Sequence, residues 1–458
     1  MNLNQELDLY FKRNREEHLD ELKSFLRISS ISSLNEHKQD TRKAAEWLKN
    51  ALEQAGLEHV SIDETAGHPV VYADWLNAPG KPTVLVYGHY DVQPVDPLHL
   101  WETPPFDPHV RDNKLYARGA SDDKGQTFMH IKTAEALLKL NGELPVNMKF
   151  IIEGEEEIGS PNLPVYVEEN KEKLAADLIV ISDTGMQGPG RPAVCYGLRG
   201  LAGIQIDVKG PKGDLHSGLY GGAVQNPIHA VADIVASFHD QEGTVQVDGF
   251  YDDVRPLKDE ERTAYRELDF DLEAEKKALG ITEDFGESGY SFLERTWVRP
   301  TLEINGIFGG FSGEGIKTVI PSEAGAKITC RLVPDQKPDD IIAKLRAHVD
   351  AHLPPGVTVT ITEFDKGTPF ITPFDHPAIQ AAGRSYEKVY NVPTVYTRMG
   401  GSVPIVAEFD RILGLPVVLM GFGLSTENFH APNEHFHLEN FDKGLRVIGD
   451  YLSEAAKL

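Results

Sequence analysis

The residues that could do chemistry in this chain sit at the ends of apolar runs. Thr83-Val84-Leu85-Val86-Tyr87 is a short β-branched run that reads as a buried strand, and it stops at Gly88-His89-Tyr90-Asp91. Residues two apart on a strand point the same way, so His89 and Asp91 share a side. The run Val146 to Ile152 ends in Glu153-Gly154-Glu155-Glu156-Glu157, the run Asp177 to Ser182 ends in Asp183, and Pro416 to Met420 leads through a Gly-rich loop to His430. A Gly-flanked turn, Arg118 to Gly125, adds Asp122 and Asp123. Taken singly these are weak signals: the acidic run alone reads more often as a solvated helix start, and Asp183 alone could be a helix N-cap. Four strands finishing alike read as one site. Two histidines and several carboxylates without cysteine suit a borderline-to-hard divalent ion, Zn²⁺, Mn²⁺ or Co²⁺. If a carboxylate is shared by two ions, the pair clamps a bridging water and lowers its pKa toward neutrality. A further free carboxylate would then act as base. His435 and His437, close to His430, are expected to be exposed polar residues.

The elements around these residues alternate. An amphipathic helix is expected over Gln5 to Leu26, and a second over Arg42 to Gln54 with Thr41 as its N-cap. A strand follows at His68 to Trp75, a loop at Trp101 to Pro108, a helix at Gln126 to Leu140, another through Tyr390, and a last one from Phe441 to Ala456. Strands alternating with helices imply an α/β domain with a mostly parallel sheet. Such sheets bind ligands outside the carboxyl ends of their strands.

Between Leu201 and Phe364 the order changes to strand, helix, two strands, helix, strand. That order suits a ferredoxin-like α+β domain inserted into the first, with Val245 to Arg299 as loops and short helices. The expected division is 1–199 with 374–458 as the catalytic domain and 200–373 as an inserted lid or dimerisation domain.

Composition excludes several function classes. The chain has 458 residues, too many for one ordinary core, and 40% of them are hydrophobic. Its 71 acidic against 45 basic residues give a formal charge of −26, which argues against nucleic acid or an anionic membrane as partner. Two cysteines, Cys195 and Cys330, make neither a disulfide framework nor a thiolate zinc site. No apolar segment approaches the roughly 20 residues of a membrane span, and the N-terminus lacks a signal-peptide pattern, so a cytoplasmic location is expected.

Taken together, the motifs resemble those of the M20 family of dinuclear metallopeptidases, especially its carnosinase-like dipeptidase branch. The resemblance is carried by Gly88-His89-Tyr90-Asp91-Val92-Gln93-Pro94, Trp101 to Phe106, Ala117 to Gly125, Glu153 to Ser160, Ile181-Ser182-Asp183, Asp214 to Gly218 and Phe429 to Glu434. It implies that Asp122 bridges two divalent ions, Zn²⁺ first with Mn²⁺ or Co²⁺ as alternatives. His89 and Asp183 would complete one site, Glu157 and His430 the other. It further implies Glu156 as general base and Asp91 as the residue orienting the His89 ring. His216 of the inserted domain would reach the neighbouring subunit's site in a homodimer and polarise the scissile carbonyl. Thr318, Arg331 and Arg398, with Gly401 and Ser402, would hold the substrate's C-terminal carboxylate, a task that suits the planar guanidinium fork.

The expected activity is hydrolysis of the amide bond of a dipeptide or short peptide with a free C-terminal carboxylate. An N-acyl-amino-acid deacylase would need the same machinery with another acyl pocket. A non-catalytic metal-binding protein would have lost Glu156 or a ligand, and none is missing.

Overall fold

The computed structural model describes residues 3–268, 270–401 and 403–458. The chain divides into two compact units, one of Met1–Tyr196, Thr372–Thr397 and Pro404–Leu458, the other of Gly197–Ile371 with Arg398–Val403.

The first unit opens with helix α1 (Leu3–Leu26), whose buried Leu7, Phe11, Leu19, Leu22 and Phe25 recur at helical spacing. Helix α2 (Lys38–Gln54) packs Trp47 flat on Phe25, with ring centroids 4.4 Å apart. It starts earlier than the sequence suggests. A 3-10 turn at Asn35–His37 runs straight into it, so Thr41 lies inside the helix and its hydroxyl donates back to the His37 carbonyl (3.0 Å). The strands are β1 (Glu58–Asp63), β2 (Val70–Trp75), β3 (Thr83–His89), β4 (Asn147–Glu153), β5 (Leu178–Ile181) and β6 (Ala193–Leu198). Helix α3 (Lys124–Asn141) lies between β3 and β4, buried along most of its length and closed by Gly142 at φ +72°.

In the second unit, strands β7 (Gly200–Lys209), β8 (Thr301–Gly309), β9 (Glu323–Leu332) and β10 (Thr358–Gly367) form an antiparallel sheet in the order β8-β9-β7-β10. Helices α4 (Pro227–Ser237) and α5 (Pro338–His352) pack against it, and Ile204, Ile206, Ile234, Leu302, Ile328 and Leu345 are part of the shared core. This is the ferredoxin-like arrangement. Residues 245–299 contain the short helices Asp259–Arg266, Leu272–Leu279 and Phe292–Trp297.

The chain returns to the first unit with α6 (Pro377–Tyr390), α7 (Pro404–Leu413), β11 (Val417–Leu419) and α8 (Leu438–Ala455). Helix α7 has no counterpart in the sequence reading; neither does the short helix Leu163–Glu169. The first unit's strands run in the order β1-β2-β4-β3-β5-β11-β6. The central four, β4-β3-β5-β11, are parallel; β2 and β6 flank them antiparallel, and β1 pairs antiparallel with β2. Register aligns their ends: His89 faces Glu153, Tyr87 faces Ile181, and Ile181 faces Leu419. The turns carrying His89, the acidic run and Asp183 therefore leave the sheet at one edge. Among the described residues no helix is long and apolar enough to cross a membrane.

Candidate metal centre

β3 delivers His89, fully buried, to the carboxyl edge of the sheet. Its Nε2 lies 3.2 Å from Asp122 Oδ1 and 3.8 Å from Asp183 Oδ2. On the other side of Asp122, Oδ2 is 2.9 Å from His430 Nε2, which is 3.2 Å from Glu157 Oε2. Two donor sets result, His89–Asp122–Asp183 and Asp122–Glu157–His430, each with its ligand atoms within 4.8 Å of one another. Asp122 belongs to both. One imidazole with two carboxylates is a donor set for a borderline divalent ion, and a carboxylate offering one oxygen to each set can serve two of them.

Charge leads to the same place. Burial raises Asp183 to about 7, with Asp122 and Glu157 adding to the effect and His89 opposing it. Burial also lifts Glu156 well above the ordinary carboxylate range; His89 opposes that, while Asp183, Glu157 and Asp122 reinforce it. His430 is raised to about 10, chiefly by hydrogen bonds to Asp122 and Glu157. So many carboxylates crowded at low dielectric need cations. The residues present fit a divalent pair.

The surrounding hydrogen bonds fix these side chains. Asp91 is buried beneath His89, whose Nδ1 is 3.1 Å from the Asp91 carbonyl oxygen and 3.4 Å from Oδ1. The same carboxylate accepts the backbone N–H of Glu156 (3.2 Å) and of Glu157 (3.1 Å). One residue thus orients the histidine and sets the acidic run. Glu155 is engaged elsewhere, accepting from His68 N (2.9 Å) and Asn162 Nδ2 (2.8 Å), and is not in either donor set. Asp123 is not in one either. Its Oδ2 accepts from Thr127 Oγ1 (2.6 Å) and from His89 N (3.3 Å). That approach needs glycine at 88, where a Cβ would lie 2.0 Å from Thr127 Oγ1.

Three supporting residues escaped the sequence reading although each lies in or beside a quoted motif. Gln93 Nε2 donates to Glu157 Oε2 (2.8 Å). Glu434 accepts from Arg118 Nη1 (2.7 Å) and from the backbone N–H of Gly119, Ser121 and Asp122 at 3.0, 3.1 and 3.2 Å. Glu427, fully buried, accepts from Ser121 Oγ (2.5 Å) and holds His437 through the ring (Nδ1, 2.6 Å) and the backbone N–H (2.9 Å). The expectation that His435 and His437 are exposed is therefore corrected. His437 is fixed by Glu427, and His435 is buried against the Tyr116 ring, 4.8 Å between centroids.

The second unit holds the remaining candidates. His216 ends a two-residue strand paired with Val319–Ile320; it is exposed, and its Nδ1 accepts from Gly218 N (3.0 Å). Ser217 N donates to the Thr318 carbonyl (3.1 Å), which brings His216 and Thr318 together. Arg331, on β9, lines a cavity of about 740 Å³. Arg398, expected to face a substrate carboxylate, is instead buried in an ion pair with Glu261 of the Asp259–Arg266 helix. A protein carboxylate already takes one of its terminal amino groups. Gly401 is partly exposed and Ser402 lies outside the described residues.

Comparison with known proteins gives this constellation a class. Residues 85–454 match the profile of Peptidase family M20/M25/M40. The chain is 33% identical over 453 residues to the Cys-Gly metallodipeptidase of Candida albicans, covering 95% of this chain and 93% of that one. Against the human Beta-Ala-His dipeptidase it is 31% identical over 466 residues, 98% and 92% of the two chains. Among solved structures, an M20 family metallo-carboxypeptidase from Sulfolobus solfataricus superposes with a TM-score of 0.82 at 36% identity, covering 96% of this chain and all of that one. Human carnosine dipeptidase 1 does so at 0.79 and 30%, with both chains fully covered. The chain belongs to peptidase family M20. It is an enzyme, an M20-type metallopeptidase that works with divalent metal ions.

Proposed function

We propose that the chain is a dipeptidase that hydrolyses the amide bond next to a residue with a free carboxylate, in the cytoplasm and as a homodimer. The observation that carries this reading is Asp122, shared by two histidine–carboxylate donor sets, with Glu156 adjoining them and belonging to neither. The dipeptidases among its relatives support the substrate class. His89, Asp122 and Asp183 would hold one ion and Asp122, Glu157 and His430 the other, Zn²⁺ before Mn²⁺ or Co²⁺. When bound, the pair would supply an acidified water and Lewis-acid polarisation of the scissile carbonyl.

The chain's own groups do the rest. Glu156, a buried carboxylate outside both donor sets, takes the proton of the attacking water and returns it to the departing amine. Asp91 keeps the His89 ring turned and the Glu156–Glu157 backbone in register. Arg331 pairs with the C-terminal carboxylate, and Thr318, beside His216 in the inserted domain, contributes to the same pocket. His216 of the partner subunit donates to the oxygen that gains negative charge. A screen of dipeptides against N-acyl amino acids, with each of the three metals, tests the reading. Preference for dipeptides is expected; turnover confined to acylated amino acids would make the chain a deacylase instead.

A further inference from the structure

The cavity of about 740 Å³ that Arg331 lines lies within the inserted unit, and its charges are unevenly answered. On its strands Glu303, Thr329 and Arg331 alternate with the core residues Leu302, Ile328 and Cys330, so they face away from the helices. Arg199, Arg295 and Arg299 line it too. Arg299 is tied to Glu287 by two bonds, of 2.7 and 2.6 Å, and Arg295 to Asp284 at 2.6 Å. Arg398, outside the cavity lining, is held by Glu261.

Among the described residues, neither Arg199 nor Arg331 has a carboxylate partner. Arg199 donates through Nε to the Gly400 carbonyl (3.2 Å), and its Nη1 is buried with no partner. The guanidinium lies so close to Gly400 that a Cβ there would stand 2.6 Å from Nη2. A side chain there would push the guanidinium from this position. Burial, and then the charge of Arg331, bring Arg199 down to about 10. Glu303 on the same wall is exposed; its charge offsets part of the shift at Arg199, but among the described residues it ion-pairs with neither arginine. Two like charges, one with a buried unused donor, are unfavourable together unless an anion joins them.

The geometry points to Arg199 as a second carboxylate-reading residue, acting beside Arg331 on the C-terminal carboxylate of the peptide. Two forks around one carboxylate satisfy donors that the fold leaves open and add specificity for the free acid. Arg398 is then a brace for the Asp259–Arg266 helix. This inference rests on the assignment of Arg331 to the substrate carboxylate, and the test separates the two.

The test compares kcat and KM for a dipeptide and its C-terminal amide in Arg199→Gln, Arg199→Lys and Arg331→Leu. Arg199→Gln is expected to raise KM for the acid, with kcat little changed, and to cut the acid-over-amide preference at least tenfold. Lysine, which keeps the charge without the fork, is expected to recover part of it. Equal losses on acid and amide in Arg199→Gln would mean that Arg199 only braces the turn at 399–401, and would overturn the inference. If Arg331→Leu loses the preference while Arg199→Gln keeps it, the inference fails and the Arg331 assignment stands. If both keep it, the assignment fails as well. Should Arg199→Gln not fold, Arg199→Lys decides: a preference at least threefold below wild type supports the inference, and an unchanged one overturns it.

Discussion

Arg118 and Glu434 stand 316 residues apart in the chain and 2.7 Å apart in space, each about 1% exposed. The second Glu434 oxygen accepts from the backbone of Ser121 and Asp122, so the pair clamps the turn that presents Asp122 to both donor sets. The bridging position is held from the far end of the sequence.

Removing one partner of a buried ion pair leaves the other uncompensated, which typically costs about 3–5 kcal/mol. Glu434→Ala is expected to lose that much stability and to bind metal more weakly, because Arg118 and three backbone N–H groups lose their acceptor together. Urea unfolding measures the first and equilibrium dialysis the second. A variant within about 1 kcal/mol of wild type would show that the clamp is dispensable.

Glu156 and Glu157 are neighbours with different assignments. Glu156→Gln is expected to keep fold and metal while losing roughly two to four decades of rate, the scale of general acid–base catalysis. Glu157→Gln is expected to weaken one metal site. Metal content and kcat on both variants check the pair; exchanged phenotypes would shift the assignment of the acidic run by one residue.

His18, on α1 and remote in sequence from the site residues, gives a pH prediction. Burial first, then Lys132, hold its imidazole down at about 4 against an ordinary value of 6.5, while Glu135 pulls the other way. Between about 6.5 and about 4 the unfolded chain takes up a proton that the folded chain refuses. Its contribution is therefore complete above about 6.5, falls away as the pH drops through that window, and changes no further below about 4. His18→Gln should flatten the stability slope in that interval. Parallel slopes in denaturant titrations of the two proteins would contradict this.

The parts of the site that lie where apolar strands end are legible in the sequence. His89, the acidic run and Asp183 announce themselves because a buried parallel strand is a short apolar run with a sharp stop. The inserted sheet is legible from its order of elements. Pairings between distant segments leave no such trace: nothing near Arg118 points to Glu434, and nothing near Arg398 points to Glu261. His435 and His437 read as surface residues because a three-residue strand, His435–His437, is too short for its periodicity to show. Thr41 reads as an N-cap because its type favours one, and the preceding 3-10 turn overrides that preference.

The dimer makes its own prediction. His216 lies in the inserted unit, whereas both donor sets lie in the other. If His216 serves the partner's site, a mixed dimer of His216→Ala and Glu156→Ala chains has half its sites intact. Such heterodimers, differently tagged and tandem-purified, should recover about half the wild-type activity although each parent homodimer is nearly inactive. No recovery would place the action of His216, if any, within its own chain.

The most direct test of the account is metal content against activity in wild type and Asp122→Ala. Stripped protein is titrated with Zn²⁺, and bound ions per chain are read by elemental analysis alongside dipeptide hydrolysis. A shared Asp122 predicts no hydrolysis in the stripped wild type, full activity at two ions per chain, and loss of both ions in Asp122→Ala. Near-full metal content in Asp122→Ala, or dipeptide hydrolysis by the stripped protein, would contradict it.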